Sequence, residues 1–263
     1  MRYFPQLETG TAGQYPLRRE RQERVVRYAS LDGRLRTYYD SGAARVGWVL
    51  QYRGVTDAER EAIDLLFQEC EGRLQSFLFL DPAANLLRWS EDYTQNAWVR
   101  DPMVTLQGGM DDLWGMDRAM RLQNTAEVPQ RIAQTIQAPG TLQYCFSVYT
   151  SRYGTPFRLR IDSGGVVTER EFQAFGPWQR FSVAARPGSN AETVTFSLVM
   201  EPGRVLDVTG MQVDAQPALG GYRRTNSRSG LYLQARFAED ELAWTKQAPN
   251  NNAAEIRIES RPY

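Results

Sequence analysis

The chain has 263 residues, 42% of them hydrophobic, and its 31 basic residues balance 31 acidic ones. That length favours about two domains, and the zero net charge argues against a dedicated nucleic-acid binder, which normally has a basic excess. No histidine is present, which removes the Ser-His and Cys-His nucleophile pairs, the histidine general base and nearly every common zinc or non-haem iron site.

The first 82 residues predict a small β-rich unit with one helix. Segments 24–28 and 34–39 are strand candidates joined across an Asp-Gly pair that favours a tight hairpin, and 46–52 alternate as a third strand. Thr56 and Glu59 have the spacing of a capping box. Apolar residues then recur on one helical face as far as Cys70, and Gly72 supplies a left-handed stop. Residues 77–80 predict a compact apolar strand.

From residue 85 onward the pattern predicts strands and no further helix. Most of these segments have one apolar and one polar face, which is typical of an antiparallel β-sandwich or jelly roll. The predicted strands lie near 103–107, 118–122, 131–137, 144–150, 157–161, 167–173, 178–183, 193–200 and 211–216.

The last residues predict strands again, at 231–237, 241–245 and around 255–259. A lone terminal hairpin is only marginally stable, so we expect these strands to pair with the first unit's sheet. The sequence therefore predicts a mainly β fold in which a sandwich, residues 83–236, interrupts a small domain formed by 1–82 and 237–263.

The two cysteines, Cys70 and Cys145, are far apart and form no CxxC motif, so neither a disulfide framework nor a thiolate metal site is predicted. The N-terminal residues lack the apolar run of a signal peptide, and no segment reaches the roughly 18 apolar residues of a membrane span. We expect no cofactor, no metal and no membrane partner.

Several segments resemble a tailed-phage family. Residues 4–19, 48–63 and 71–82 are similar to the ring domain of phage distal tail proteins and of their relatives in prophages and gene transfer agents. Residues 85–98 and 207–217 resemble the carbohydrate-binding-like sandwich of many phage tail proteins, as do three shorter strand segments. These segments are 134–136, 144–150 and 178–183.

This resemblance implies a structural virion protein and no enzyme. The implied assembly is a hexameric ring that joins the tail tube to the baseplate or tail tip, with the sandwich facing outward. Its partners would be copies of itself, the tail tube protein, baseplate hub or tail tip proteins, and a host-surface glycan contacted by the sandwich. Its location would be the virion tail, after assembly in the host cytoplasm. The alternative is a glycan-binding module of a phage or cell-surface protein that forms no ring.

Aromatic side chains that could stack on a sugar ring are the candidates for glycan contact. The candidates are Trp98, Trp114, Tyr149, Tyr153 and Trp178. Trp114, Tyr149 and Tyr153 are the predicted glycan-binding residues, and Trp178 is expected to seal the sandwich core. Acidic clusters such as Asp111 with Asp112, or Glu169 with Glu171, are the catalytic alternatives. Charges that alternate along a strand usually mark its solvated side, so no catalytic residue is assigned.

A run of mixed charge near the N-terminus is the candidate subunit interface. The acids interleaved with the arginines favour an interface between subunits over sequence-specific nucleic-acid binding. The residues are Arg18, Arg19, Arg21, Arg24 and Arg27 with Glu20 and Glu23.

Overall fold

A computed structural model describes residues 1–152 and 154–261, apart from the side chain of Ser41. The protein is mainly β, as predicted, with the helix α1 (Asp57–Glu69). The strands are β1 (Leu17–Ala29), β2 (Leu35–Val55), β3 (Phe77–Leu80), β4 (Val99–Arg100), β5 (Val104–Met110), β6 (Ala119–Asn124), β7 (Gln130–Ile136), β8 (Tyr144–Ser151), β9 (Thr155–Ser163), β10 (Val166–Ala174), β11 (Gln179–Ala185), β12 (Val194–Met200), β13 (Val205–Asp214), β14 (Leu231–Phe237), β15 (Thr245–Ala248) and β16 (Asn251–Ser260).

The chain divides into two compact units. Unit 1 contains Met1–Leu7, Gly13–Phe79 and the described residues from Tyr232 onward, and unit 2 contains Glu8–Ala12 and Leu80–Leu231. The roles that the sequence assigned to segments 1–82, 83–236 and 237–263 stay predictions.

The sheet of unit 1 has the strand order β1-β2-β16-β14-β3, with β15 paired to β16. The last strand thus joins the first unit's sheet, the pairing expected from the sequence. In the antiparallel register, Ile256 lies opposite Leu50 and Ile258 lies opposite Trp48. All four side chains are buried, so the register is set by the apolar face.

Three predicted strand assignments in unit 1 are wrong. The strand predicted at 24–28 is only the last part of β1, which begins at Leu17. Segments 34–39 and 46–52 belong to one long strand, β2. The strand β1 pairs with β2 along both segments, and the pairing continues past a register shift between Gln22 and Arg24. The predicted strand at 241–245 does not form, and β15 begins only at Thr245. The indole N–H of Trp244 donates to the Asp64 carboxylate at 2.7 Å, which ties this segment to the helix.

The helix starts as its capping box predicts. The Glu59 backbone N–H donates to the Thr56 hydroxyl at 3.2 Å, and the Thr56 N–H donates to the Glu59 carboxylate at 2.8 Å. The end of the helix differs by one residue from the prediction, which placed the left-handed stop at Gly72. Glu71 is the first left-handed residue, with φ 51°, and Gly72 follows with φ 66°. The Gly72 N–H bonds to the Phe67 carbonyl at 3.1 Å, closing a Schellman-type turn.

The core of unit 1 is aromatic. The Trp48 ring centroid lies 4.9 Å from that of Phe79 and 4.6 Å from that of Tyr232. Phe237 contacts Phe67 of the helix at 5.0 Å, edge to face. Large rings from the sheet and the helix bury apolar area against each other, which stabilises the unit.

Unit 2 is an antiparallel β-sandwich of two five-stranded sheets. One has the order β10-β9-β12-β7-β4, and the other, which we call the site sheet, has the order β11-β8-β13-β6-β5. Buried rings from the two sheets meet in the core, where Phe146 of β8 lies 5.7 Å from Phe196 of β12. Along β8 the inward side chains, among them Phe146 and Val148, alternate with outward ones.

Helices that could cross a membrane are not found among the described residues, since none is both long and apolar enough.

Each unit contains one buried thiol, which gives a test of their independence. Cys70 in unit 1 is 0% exposed and Cys145 in unit 2 is 2% exposed, and burial raises the pKa of Cys145 to about 11. Because thiolates are the reactive species, we expect neither thiol to react with Ellman's reagent in the native protein. In increasing urea, mass spectrometry of alkylated peptides should show the two thiols becoming reactive at different midpoints if the units unfold separately. A single shared midpoint would show one cooperative unit.

Candidate functional site

The outward side of the site sheet carries arginine and aromatic side chains over buried acids. A row of cross-strand neighbours runs from Arg180 on β11 through Tyr149 on β8 to Thr209 on β13. We call this surface the arginine–aromatic face. Its members are Trp114, Tyr149, Tyr222, Arg118, Arg121, Arg152, Arg180, Arg223 and Arg224.

Three aromatic rings form the centre of this face. Trp114 stacks on Tyr222 with centroids 5.2 Å apart and an interplanar angle of 21°. Tyr149 contacts Trp114 at 5.7 Å and Tyr222 at 5.9 Å, in both cases edge to face. Trp114 is 41% exposed, so an indole surface remains open to solvent although its neighbours hold the ring in place.

A bulge in β13 makes room for these rings. The β8–β13 register shifts between Thr209 and Gln212, and Gly210 there has φ +63°. A Cβ atom at Gly210 would lie 3.1 Å from ring atoms of both Tyr149 and Tyr222. Glycine therefore permits both the left-handed backbone and the close approach of the two rings.

Asp112 organises the loop that presents Trp114. Its Oδ1 accepts the backbone N–H groups of Trp114 at 2.8 Å and Met116 at 2.9 Å. Its Oδ2 accepts from the Arg118 guanidinium at 3.1 Å, and that guanidinium lies 5.5 Å from the Trp114 ring centroid. The carboxylate that the sequence offered as a catalytic candidate is thus occupied in holding the loop.

Glu91 anchors the opposite end of the aromatic group. Its carboxylate accepts from the Tyr222 hydroxyl at 2.8 Å and forms ion pairs with Arg224 at 2.8 Å and Arg118 at 3.6 Å. The Glu91 side chain is only 5% exposed. A buried carboxylate needs such partners, because an unpaired one is costly to desolvate.

A second buried acid supports the segment that follows β13. The Asp214 carboxylate accepts from Gln212 Nε2 at 2.9 Å and from the Gly220 N–H at 3.2 Å, and Arg223 lies 3.4 Å away. Burial raises the pKa of Asp214 above its ordinary value, although these partners oppose the shift. The segment 218–224 is thereby fixed against the sheet.

Beside the aromatic group lies an open groove of about 400 Å³. Its lining combines apolar groups, among them Leu106 and Met120, with the polar groups of Glu91, Asp92, Thr94, Asp117 and Arg224; Trp114 lies outside this lining. Polar groups of both donor and acceptor type are what a hydroxyl-rich ligand requires.

The structure brings two of the three predicted glycan-binding residues together, since Trp114 contacts Tyr149. Tyr153 lies outside the described residues. Trp98, which the sequence offered as a stacking candidate, is buried, and its indole N–H donates to the Trp89 carbonyl at 3.0 Å. Trp178 is only half-buried. That partial exposure differs from the core position predicted for it.

The carboxylate pair weighed for catalysis lies on β10 opposite arginines of β9. Glu169 faces Arg160 and Glu171 faces Arg158 in the register, and Arg158 donates to Glu169 at 3.1 Å. Charge pairing within the sheet accounts for Glu169, and Glu171 is an exposed side chain of the same strand.

The predicted subunit-interface residues lie on both sides of β1. Arg18 and Glu20 face outward, opposite Val49 and Gly47, and line a concavity of about 760 Å³. Arg19 is on the other side, where it donates to the Tyr232 hydroxyl at 2.8 Å.

The other predicted interface residues lie further along β1, toward the turn that connects it to β2. Arg21 forms an ion pair with Glu23, Arg24 lies 3.7 Å from Asp40, and Arg27 is exposed. The set therefore spans two faces, and its role between subunits stays a prediction.

Sequence analysis did not identify several residues of the arginine–aromatic face. Tyr222, Arg223 and Arg224 follow two glycines, and a Gly-Gly-Tyr-Arg-Arg run is typical of a turn and does not by itself indicate a binding site. Glu91 gave no signal, because its partners come from remote segments of the chain. Among the described residues no group of three or more metal-ligating side chains comes together.

Comparisons with known proteins find similarity in fold alone. No family model matches the sequence, and no curated protein matches it. The CBM22-1 xylan-binding domain from Paenibacillus barcinonensis is 8% identical with a TM-score of 0.41, over 55% of this chain and 98% of that domain. TmCBM61, solved with β-1,4-galactotriose, is 16% identical with a TM-score of 0.38, over 49% of this chain and 97% of that one.

A phage protein is also among the similar structures. The enzymatically active domain of tailspike protein 4 from bacteriophage CBA120 is 10% identical with a TM-score of 0.40, over 51% of this chain. The match spans 22% of that tailspike chain.

Tyr222→Phe tests whether the hydroxyl of Tyr222 supports the buried acid. The change keeps the stacked ring but removes the hydrogen bonds to Glu91 and Ser90, which measure 2.8 and 2.9 Å. We expect it to lower the free energy of unfolding by about 1–3 kcal/mol, the usual cost of an unsatisfied buried group. Urea unfolding followed by tyrosine and tryptophan fluorescence measures it. Tyr149→Phe, on the same face, is the control and should change stability by less than about 0.5 kcal/mol.

Proposed function

We propose that unit 2 binds glycans through the arginine–aromatic face and the adjoining groove. The observation that supports this most directly is Trp114, an indole that is 41% exposed and yet held rigidly by a stacked tyrosine and an organised loop. A fixed, exposed ring can stack on the C–H face of a sugar without losing conformational entropy on binding.

The groove supports the same proposal. A sugar presents hydroxyl groups around an apolar ring face, so it needs an aromatic platform together with donors and acceptors at its rim. Trp114 provides the platform, and Asp92, Thr94, Asp117 and Arg224 line the groove with the rim groups.

A polysaccharide screen with the full chain tests the proposal. The screen uses affinity electrophoresis against neutral and acidic polysaccharides, followed by calorimetry with oligosaccharides of any that bind. We expect Trp114→Ala to weaken binding about tenfold, which corresponds to roughly 1.4 kcal/mol. Phe175→Ala, which removes a comparably exposed ring (48%) from the turn after β10, should leave affinity unchanged. Absence of binding to every polysaccharide would contradict the proposal.

We propose a second function, assembly, on a separate observation in unit 1. The far half of the β1–β2 hairpin, residues 24–40, which we call the arm, is exposed on both faces. In the part of the chain that the structure describes, β16 pairs with β2 only between Val46 and Val55, and no strand pairs with either edge of the arm.

The arm exposes large apolar and aromatic side chains on both of its faces. Val25, Leu35 and Tyr39 share one face and are 47%, 65% and 58% exposed. Tyr28 and Tyr38, on the other face, pack edge to face and are also exposed. A two-stranded hairpin is marginal by itself, and exposed apolar patches commonly mark interfaces.

These features support self-association of unit 1, in keeping with the ring implied by the resemblance to distal tail proteins. On that proposal the chain is a structural protein of the virion tail, its neighbours are the tail tube and the baseplate or tail tip, and its sandwich faces the host surface. Six subunits are implied by the resemblance and not by the residues.

Substitution in the arm tests the assembly proposal. We expect the wild-type chain to form a closed oligomer at about 50 µM, and the double variant Leu35→Thr/Tyr39→Thr to weaken association more than tenfold, since burial of each large side chain contributes roughly 1.5–3 kcal/mol. Sedimentation velocity measures both. Val166→Thr/Val167→Thr removes similarly exposed side chains, 44% and 43%, from β10 and is the matched control. A wild-type chain that stays monomeric would contradict self-assembly.

A further inference from the structure

We infer that the glycan bound by unit 2 carries carboxylate groups, and that Arg121, Arg152 and Arg180 recognise them beside Tyr149. This inference rests on the proposed glycan binding and specifies its ligand class. Its basis is an excess of guanidinium groups over carboxylates on the two sides of β8, with Arg180 on β11 and with Arg121 and Arg152 around Asp207; we call these three residues the arginine strip.

Two arginines of the strip share one acid. Arg121 forms a two-point ion pair with Asp207, at 2.7 and 3.0 Å, and Arg152 lies 3.3 Å from the same carboxylate. The side chains of Arg121 and Arg152 are 32% and 38% exposed, whereas that of Asp207 is 16% exposed. One acid beneath two more exposed arginines leaves a positive charge facing solvent.

The third arginine of the strip is held by neutral groups. Arg180 donates to the Gly220 carbonyl at 2.6 Å and to the Ser147 hydroxyl at 3.0 Å. Its guanidinium lies 5.2 Å from the Tyr149 ring centroid. Asp214, the partner of Arg223, also lies close enough to Arg180 to interact with its charge. With Asp214 counted, the arginine–aromatic face holds six guanidinium groups against the four carboxylates of Glu91, Asp112, Asp207 and Asp214, and the guanidinium groups are oriented before any ligand arrives.

The rest of the face is balanced, which places the excess charge at the strip. Arg118 and Arg224 pair with Glu91 and Asp112, and Arg223 pairs with Asp214. In the groove, Asp92 and Asp117 add negative charge. A ligand that spans both regions would thus place hydroxyl groups in the groove and an anionic group at the strip.

Guanidinium groups recognise carboxylates by paired, planar hydrogen bonds. Tyr149 lies beside the strip, and Trp114 contacts Tyr149. The two rings offer an aromatic surface for the sugar that carries the carboxylate. A nucleic acid fits less well, because neutralising its regular phosphate backbone needs a longer basic track than three arginines beside a balanced surface.

A matched pair of polysaccharides separates charge from backbone recognition. Polygalacturonate and its methyl ester share one sugar chain, and only the first carries free carboxylates. The full chain is tested by affinity electrophoresis against both, against alginate and xylan, and against single-stranded DNA. We expect carboxylated chains to bind at least about tenfold more tightly than the ester or xylan, with binding that weakens from about 50 to about 500 mM salt as charge is screened.

Variants locate the effect at the strip. Arg152→Gln leaves Asp207 paired with Arg121, so the fold should persist while affinity for carboxylated chains falls about fivefold to tenfold. Arg152→Lys should retain most of the affinity. Arg131→Gln is the control, since that arginine is 46% exposed and pairs with Asp101 on the opposite sheet, and it should bind as the wild type does.

The outcomes distinguish this inference from the proposed function. Equal affinity for polygalacturonate and its ester, an Arg152→Gln variant that binds as the wild type does, or tighter binding to DNA would overturn carboxylate recognition. Binding to xylan or the ester alone would do so while supporting glycan binding. Failure to bind any of the polysaccharides would end both.

Discussion

Unit 1 depends on the position of its last strand between β2 and β14. Without β16, β2 would have a hydrogen-bonding partner on one side only, and β14 would connect to β3 alone. The aromatic core requires the same arrangement, because Trp48 on β2 meets Tyr232 on β14 across that strand. The pairing of β16 with β2 closes a very long loop, and the entropic cost of closing a loop rises only slowly with its length. The sequence of the sandwich can therefore be inserted between β3 and β14 of unit 1.

The second unit shows how a polar surface can be made rigid. Glu91, Asp112 and Asp214 are nearly or fully buried. Asp112 and Asp214 each accept several hydrogen bonds, and Glu91 accepts one from the Tyr222 hydroxyl and forms ion pairs with Arg118 and Arg224. Satisfied buried acids hold their partners in one geometry, and the side chains above them therefore lie in fixed positions at the surface. The sandwich core is apolar and contributes stability, whereas this polar layer determines which groups are presented.

The fold was predictable where periodicity carried the information. The alternation of apolar and polar residues along β8 and β2 predicted which faces are buried. The capping box at Thr56 predicted where the helix begins. The candidate site was predictable only in part. Trp114 and Tyr149 could be selected as aromatic residues, but Tyr222 joins them through a bulge at Gly210 and contacts across remote loops. Such long-range geometry leaves no local pattern in the sequence.

The order of strands in unit 1 also has a consequence for synthesis. A chain emerging from the ribosome folds from its N-terminal end, domain by domain, and all strands of the sandwich precede β16. The sandwich can therefore fold while the edge of β2 at Val46–Val55 still awaits its partner. An open strand edge invites pairing with other chains. The nascent protein thus passes through a stage in which its first sheet needs shielding, and a chain truncated before residue 251 would remain there.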